Sequence, residues 1–295
     1  MKISIVLPAK NEAENLEGLL PRLLQAYGDQ EIIVVNDGST DATLEVCQRH
    51  GVRVVSHPYS MGNGAAIKSG ARAASGEILV LMDADGQHDP AYIERLLARF
   101  EEGFEMVVGA RQVDTHASGG RRLANYFYNR LASVMTGHRI DDLTSGFRAA
   151  RARHFRKFLY LLPNGFSYPT TSTMAFFRSG MPVAYVPIRA GVREGKSKIK
   201  VLRDGLRFFI IIIKIGALFS PMRLFLPVSA FLFTVGLAYY GYTYFQWERF
   251  TNMSALLFSS SLMTFLLGIV SEQISSLHYK GADDDRRQTV RREEE

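Results

Sequence analysis

The sequence predicts an α/β domain followed by an interfacial amphipathic helix and two transmembrane helices. Three observations carry that expectation. Apolar runs at Ile3–Leu7, Glu31–Val35 and Ile78–Met82 each stop at polar, turn-forming residues, the pattern of strands buried on both faces of a parallel sheet. Segments with helical apolar spacing, such as Leu16, Leu19, Leu20 and Leu23, separate them. Two charge-free stretches, Leu224–Phe245 and Phe250–Ser271, are 22 residues each, and about 20 apolar residues span a bilayer core.

Each element follows in order. Ile3–Leu7 ends in Pro8-Ala9-Lys10-Asn11-Glu12 and leads into the first helix. Glu31–Val35 ends in Asn36-Asp37-Gly38-Ser39-Thr40, where Gly38 permits a tight turn and Ser39 or Thr40 caps the next helix. Val52–Val55 reads as a strand, His57–Gly64 as a turn-rich loop and Ala65–Ala74 as a helix. Ile78–Met82 ends in Asp83-Ala84-Asp85-Gly86-Gln87-His88, before a helix over Tyr92–Phe100. A strand at Glu105–Gly109, an amphipathic helix at Arg121–Met135 and a polar loop from Asp141 to Arg148 come next. A helix at Tyr168–Arg178 and a strand at Pro182–Ile188 complete the domain. We place the sheet domain at 1–200, the interfacial helix at 201–221, the hairpin at 222–280 and a disordered charged tail at 281–295.

At about 100° per residue, Arg203, Arg207 and Lys214 share one narrow face of an otherwise apolar segment. Tyr239, Tyr240, Tyr242, Tyr244 and Trp247 form an aromatic belt near the end of the first span. The connection 246–250 carries only Arg249, opposed by Glu248, while Lys196 to Arg223 and Lys280 to Arg287 are rich in cations. The positive-inside rule then places the sheet domain and both termini in the cytoplasm of a multi-pass cell-membrane protein. Ile3–Leu7 is too short for the core of a signal peptide, so none is expected. The net charge of +6 sits beside apolar segments, which suits an anionic bilayer; no nucleic-acid module is present. A single cysteine, Cys47, excludes a disulfide framework and fits a reducing compartment.

Three strands deliver polar residues at their carboxyl ends, where open α/β sheets bind ligands. Asp83, Asp85 and Gln87 offer hard oxygen atoms of the kind that hold Mg²⁺ or Mn²⁺ beside substrate phosphates. A solvated acidic turn is the alternative for those residues alone. No G-x-G-x-x-G follows the first strand, which argues against a dinucleotide oxidoreductase.

In these motifs, taken in order, the chain resembles the family 2 glycosyltransferases with a GT-A, Rossmann-like nucleotide-sugar domain. It looks like their dolichol-phosphate mannosyltransferase and polyprenyl-phosphate glycosyltransferase branch. Pro8, Lys10, Asn11 and Glu12 match that family's P-x-Y-N-E element, and Val35 and Asp37 the strand end holding base and ribose. Asp83, Ala84, Asp85 and Gln87 match its D-A-D-x-Q element, with Asp85 and Gln87 as metal ligands and Asp83 on the ribose or the metal shell. Arg111 matches an arginine that approaches phosphate, Asp142 to Arg148 match D-x-T-S-G-F-R, and Arg193 to Lys198 match a basic loop over the diphosphate. Lys10, where an aromatic is common, and Asn36, in place of an acid, depart from the pattern and leave uridine against guanosine open.

The resemblance implies metal-dependent, inverting transfer of one hexose, glucose or mannose, from a nucleotide-diphosphate sugar to polyprenyl phosphate. It assigns catalysis to Asp83, Asp85, Asp142 and Arg111, and the nucleotide sugar also to Pro8, Lys10, Glu12, Val35, Asp37, Ala84, Arg193 and Lys198. Arg139, Ser145 and Arg148 are the acceptor candidates, with Arg121 and Arg122 as further cations. Asp142 is the candidate base if one is used; ordering the acceptor loop is its other role. Gly62-Asn63-Gly64 is either an anion nest or an ordinary loop, and His88 has at most an orienting role. Alternatives are transfer to a hydroxyl of a glycolipid or polysaccharide, against which the missing Q-x-x-R-W element counts, and a catalytically silent membrane scaffold. Two thin spans also leave room for a homo-oligomer.

Overall fold

A seven-stranded sheet of order β3-β2-β1-β4-β6-β5-β7 organises the first of two units, residues 1–198. A computed structural model describes residues 1–112, 119–165, 167–189, 217 and 219–293. The strands are β1 (Ile3–Ala9), β2 (Glu31–Asn36), β3 (Arg53–Ser56), β4 (Ile78–Leu81), β5 (Met106–Arg111), β6 (Arg148–Arg151) and β7 (Val183–Ile188). Helices α1 (Ala13–Tyr27), α2 (Thr43–Arg49), α3 (Asn63–Ala73), α4 (Tyr92–Ala98), α5 (Gly119–Thr136), α6 (Ala152–Lys157) and α7 (Tyr168–Arg178) surround or follow them. β1, β2, β3 and β4 run parallel, as do β5 and β7, while β6 is antiparallel to both β4 and β5.

Burial explains the placement. Ile5, Val6, Leu7, Ile33, Val34, Val35 and the whole of β4 lie fully inside, so these strands need apolar cover on both faces. The α1 residues Leu16, Leu19, Leu20, Leu23 and Tyr27 supply one side at the spacing of a helix face. On the other side α3 comes so near that a Cβ at Gly70 would collide with the Val6 side chain. β5 extends two residues beyond the expected end because Ala110 and Arg111 pair with Pro187 and Ile188 of β7. That extension sets Arg111 at the carboxyl edge of the sheet.

The second unit is a hairpin of α8 (Pro221–Trp247) and α9 (Asn252–Glu293). Pro221–Trp247 and Asn252–Leu277 are long and apolar enough to cross a membrane, and large side chains such as Phe231, Phe245 and Met263 point outward. Ser229, Gly236 and Thr243 on α8 recur every seventh residue, as do Ser254, Ser261, Gly268 and Ser275 on α9; all are buried. Ser229 and Ser261 each donate a hydroxyl to the other's carbonyl at 2.9 Å. A Cβ at Gly268 would sit 2.9 Å from Phe225 Cβ, and one at Gly236 would sit 3.1 Å from Leu257 Cβ. The Glu272 carboxylate accepts from Met222 N at 3.3 Å, which satisfies one main-chain donor in the first turn of α8.

The tail predicted to be disordered from 281 continues α9 as helix to Glu293; a charged segment without an apolar face extends a helix that the hairpin has already nucleated. The interfacial helix predicted over 201–221 lies outside the described residues except for 217 and 219–221.

Candidate active site

The carboxyl ends of β1, β2, β4 and β5 and the loop before β6 bring the candidate residues into one region. The two turns after β1 and β2 are sewn together by side chains, among them Ser39, which the sequence suggested as a cap. Asn11, at φ 56°, accepts from Thr40 N at 2.8 Å, and its own N–H donates to Ser39 Oγ at 3.0 Å. Glu12 N donates to Thr43 Oγ1 and Ala13 N to Asp41 Oδ2, while Glu12 Oε2 accepts from Asn15 at 2.6 Å.

Asp37 is 4% exposed and fully engaged. Its Oδ1 accepts from His57 Nδ1 and Met61 N, both at 2.7 Å, and its Oδ2 from Ser60 Oγ at 2.8 Å and Gly62 N at 2.9 Å. Burial works against its charge, but the His57 ring and those N–H groups outweigh it and hold the carboxyl below the usual range. Asp37 therefore fastens the 57–62 loop. His57 Nε2 meets Ser69 Oγ at 2.8 Å, and exposed Lys10 donates to Ser60 Oγ at 2.9 Å. Nothing in the residue pattern marks His57 or Ser60 beyond their place in a turn-rich segment.

Val35 and Ala84 are buried. Val35 packs on α3, where a Cβ at Gly70 would come within 3.1 Å of its Cγ2. Pro8 pairs with Val35 across the sheet and is half-buried at the edge. The Gly62-Asn63-Gly64 segment is not an anion nest, because Gly62 N serves Asp37 and Gly64 N and Ala65 N donate to the carbonyls of Gly165 and Asn164. Arg193 and Lys198 lie outside the described residues, as do the side chains of Arg121 and Arg122.

Asp83, Asp85 and Gln87 leave the end of β4, all partly exposed. Gly86, at φ 71°, makes the turn between the last two, and Gln87 N donates to Asp85 Oδ1 at 3.2 Å. Among the described residues no group of three or more His, Cys, Asp or Glu could cage a metal. Asp83, Asp85 and Gln87 offer oxygen donors of the kind used by an ion that takes one or two protein ligands and completes its shell with substrate phosphates. The residues fit Mg²⁺ or Mn²⁺ in that manner and do not fit a closed structural site.

The loop 141–148 is built around Asp142, 7% exposed. Arg111 grips it with two bonds, Nε to Oδ2 at 2.8 Å and Nη2 to Oδ1 at 3.0 Å, and donates from its main chain to Oδ2 at 3.2 Å. Thr144 N and Ser145 N also reach Oδ1 at 3.0 and 3.1 Å. Burial opposes the charge of Asp142, and the Arg111 bonds more than offset it, so its proton affinity is lowered. A carboxylate so held is a poor base, and ordering the loop is the role its geometry supports. Arg111 loses by burial but gains more from Asp142, and keeps part of its guanidinium exposed.

Two of the acceptor candidates are Arg148 and Ser145. Both are fully buried. Arg148 donates to Pro169 O at 2.7 Å, to Ser172 Oγ and Thr173 Oγ1 at 2.9 Å and to Ser145 O at 3.1 Å, so its charge is spent on joining β6 to the first two turns of α7. Tyr168 OH donates to Gly146 O at 3.1 Å from the first of those turns. Arg148→Ala should therefore lower the melting temperature steeply, because several buried acceptors lose their donor at about 1–3 kcal/mol each; the acceptor KM of any folded fraction should be unchanged. Arg139 alone of the three stands at the surface, with its Nε 2.8 Å from Asp141 Oδ1.

Residues 4–159, more than half of the chain, match the model of glycosyl transferase family 2. The chain belongs to that family. Its hairpin, residues 220–277, matches the GtrB C-terminal hairpin. A Pyrococcus furiosus protein named dolichol-phosphate mannosyltransferase is 34% identical over 220 residues, 68% of this chain and 60% of that one. The undecaprenyl-phosphate mannosyltransferase of Micrococcus luteus is 29% identical over 68% of this chain and 88% of its own. Among solved structures, glucosyl-3-phosphoglycerate synthase of Mycobacterium tuberculosis, with Mn²⁺ and UDP-glucose, superposes at a TM-score of 0.58 with 26% identity, covering 73% of this chain and 78% of that one. The family 2 sheet and two apolar helices are thus both present, as the motifs and the uncharged runs led us to expect.

Proposed function

We propose that this family 2 enzyme transfers one hexose, glucose or mannose, from a UDP- or GDP-linked sugar to polyprenyl phosphate at the cytoplasmic face of the membrane. The observation that carries the reading is the joining, in one chain, of an acidic donor edge to a hairpin with apolar outer faces. A water-soluble acceptor would need no such hairpin. Relatives named for transfer to dolichol and undecaprenyl phosphate support the acceptor class. The low cation content of the 246–250 connection supports the orientation.

Asp85 and Gln87 would hold Mg²⁺ or Mn²⁺, which when bound supplies charge neutralisation at the leaving diphosphate. Arg111, oriented by Asp142 and Thr144, directs its exposed guanidinium edge to the same phosphates. Asp83 abuts Gly146 of the 141–148 loop, close enough that a Cβ at Gly146 would collide with its carboxylate, and its charge acts on Arg111. Arg139 is the surface cation left to receive an acceptor phosphate. The acceptor has a second pKa near 6 and is already a nucleophile at neutral pH, so the absence of a base role for Asp142 costs the reaction nothing. Attack opposite the leaving group in one displacement inverts the anomeric carbon.

Truncation before Leu224 tests the lipid reading. The shortened protein should bind nucleoside diphosphate with metal as the whole chain does, use a long polyprenyl phosphate poorly and recover rate on a short soluble prenyl phosphate. The rate of the full chain should rise with pH through about 6 and then level. Equal turnover of a bilayer-embedded acceptor by both proteins would exclude the hairpin as the presenting element.

A further inference from the structure

His88 follows the acidic edge and takes no part in the chemistry described so far. Its ring is 4% exposed and stacks on Phe147, with centroids 5.1 Å apart and planes 15° from parallel. Phenylalanine would make that stack with no nitrogen to desolvate. A buried imidazole costs free energy unless its nitrogens have partners. Here Nδ1 has none, and Nε2 stands 3.9 Å from Asp83 Oδ2, beyond hydrogen-bond range.

Asp83 Oδ2 is also the atom that a Cβ at Gly146 would strike. The carboxylate therefore borders the acceptor loop while facing a histidine that is just short of reaching it. A shift of about 1 Å closes that gap to a hydrogen bond. We propose that His88 is a positioning residue that takes hold of Asp83 when the nucleotide sugar binds, tying the donor carboxylate to the acceptor loop through the Phe147 stack. This rests on the reading of the edge as a donor site. The ring needs only a proton on Nε2, and no change of charge is involved. Phe147 belongs to the loop ordered by Asp142, so the grip on Asp83 and the shape of that loop become one adjustment.

Two substitutions in the full-length protein separate this from simple packing. His88→Phe keeps the stack and removes both nitrogens; His88→Gln returns an amide N–H near the place of Nε2. Thermal unfolding, affinity for UDP and GDP with Mn²⁺, and kcat and KM for each substrate are measured. His88→Phe should melt at or above the wild-type temperature yet lose about 10- to 100-fold in kcat, the range found when a group orienting a metal-site residue is removed. The acceptor KM should stay within about twofold of wild type, and His88→Gln should recover part of the rate. A His88→Phe rate equal to wild type overturns the proposal, as does a loss that glutamine does not relieve. Failure of the wild type to bind either diphosphate would instead bring down the donor-site reading beneath it.

Discussion

Asp85→Asn should reduce transfer by about three orders of magnitude, since each 1.4 kcal/mol of lost transition-state stabilisation is tenfold and metal-assisted charge neutralisation is worth several. The variant should fold normally, because Asp85 is partly exposed in a turn closed by Gly86 and packs no core. Gln87→Ala should follow it closely. EDTA should silence the wild type and added Mn²⁺ should restore it, while melting in chelator should stay unchanged without nucleotide. The checks are a radiolabelled transfer assay and a thermal scan run on the same preparations. Full activity in chelator would remove the metal assignment.

Asp142→Ala should divide its effect differently, with a smaller loss of rate and a larger loss of stability. The substitution leaves Arg111 without its carboxylate and the N–H groups of Thr144 and Ser145 without an acceptor. Breaking a buried pair costs about 3–5 kcal/mol, and partial exposure of Arg111 brings this to about 2–3 kcal/mol. At roughly 2–4 °C per kcal/mol for a domain of this size, the melting temperature should drop by about 5–10 °C. The pH dependence has a defined sign. The folded carboxyl holds its proton less tightly than an unfolded aspartate at about 3.9, so its stabilisation is complete above that pH and fades as the pH falls through the lower folded value. The gap in melting temperature between wild type and Asp142→Asn should hold constant near neutrality and narrow below about pH 4. A complete loss of activity in Asp142→Ala that still binds both substrates would instead assign Asp142 to proton transfer.

Much of this was legible in the residues. Strands show themselves when an apolar run is buried on both faces, as at Ile78–Met82, and the helix of Leu16, Leu19, Leu20 and Leu23 shows itself by its face. The acids after β4 stand out in the sequence because a carboxylate at a strand end has few structural reasons to be there. What the sequence withheld was the direction of individual side chains. A motif places Arg148 and Asp37 near a site but says nothing of whether each turns toward ligand or toward its own loop. Arg148 turned inward to Ser145, Pro169, Ser172 and Thr173, and Asp37 turned to the 57–62 loop. Those partners lie up to 25 residues away, and no local spacing reports them. The seven-residue recurrence in the hairpin was present in the letters and is hidden by hydropathy, which ranks serine and glycine as weak points in a span rather than as its seam.

That seam leaves the hairpin without an interior. Ser229 and Ser261 bring the two main chains together, and Gly236 and Gly268 leave no more room than a neighbouring side chain fills. Among the described residues no slot opens between the helices, and the apolar surfaces on offer are outer ones such as Phe231, Leu237 and Leu266. On the proposed reaction, the acceptor meets the described hairpin along its outer faces, and the hairpin is then a mooring and not a ruler.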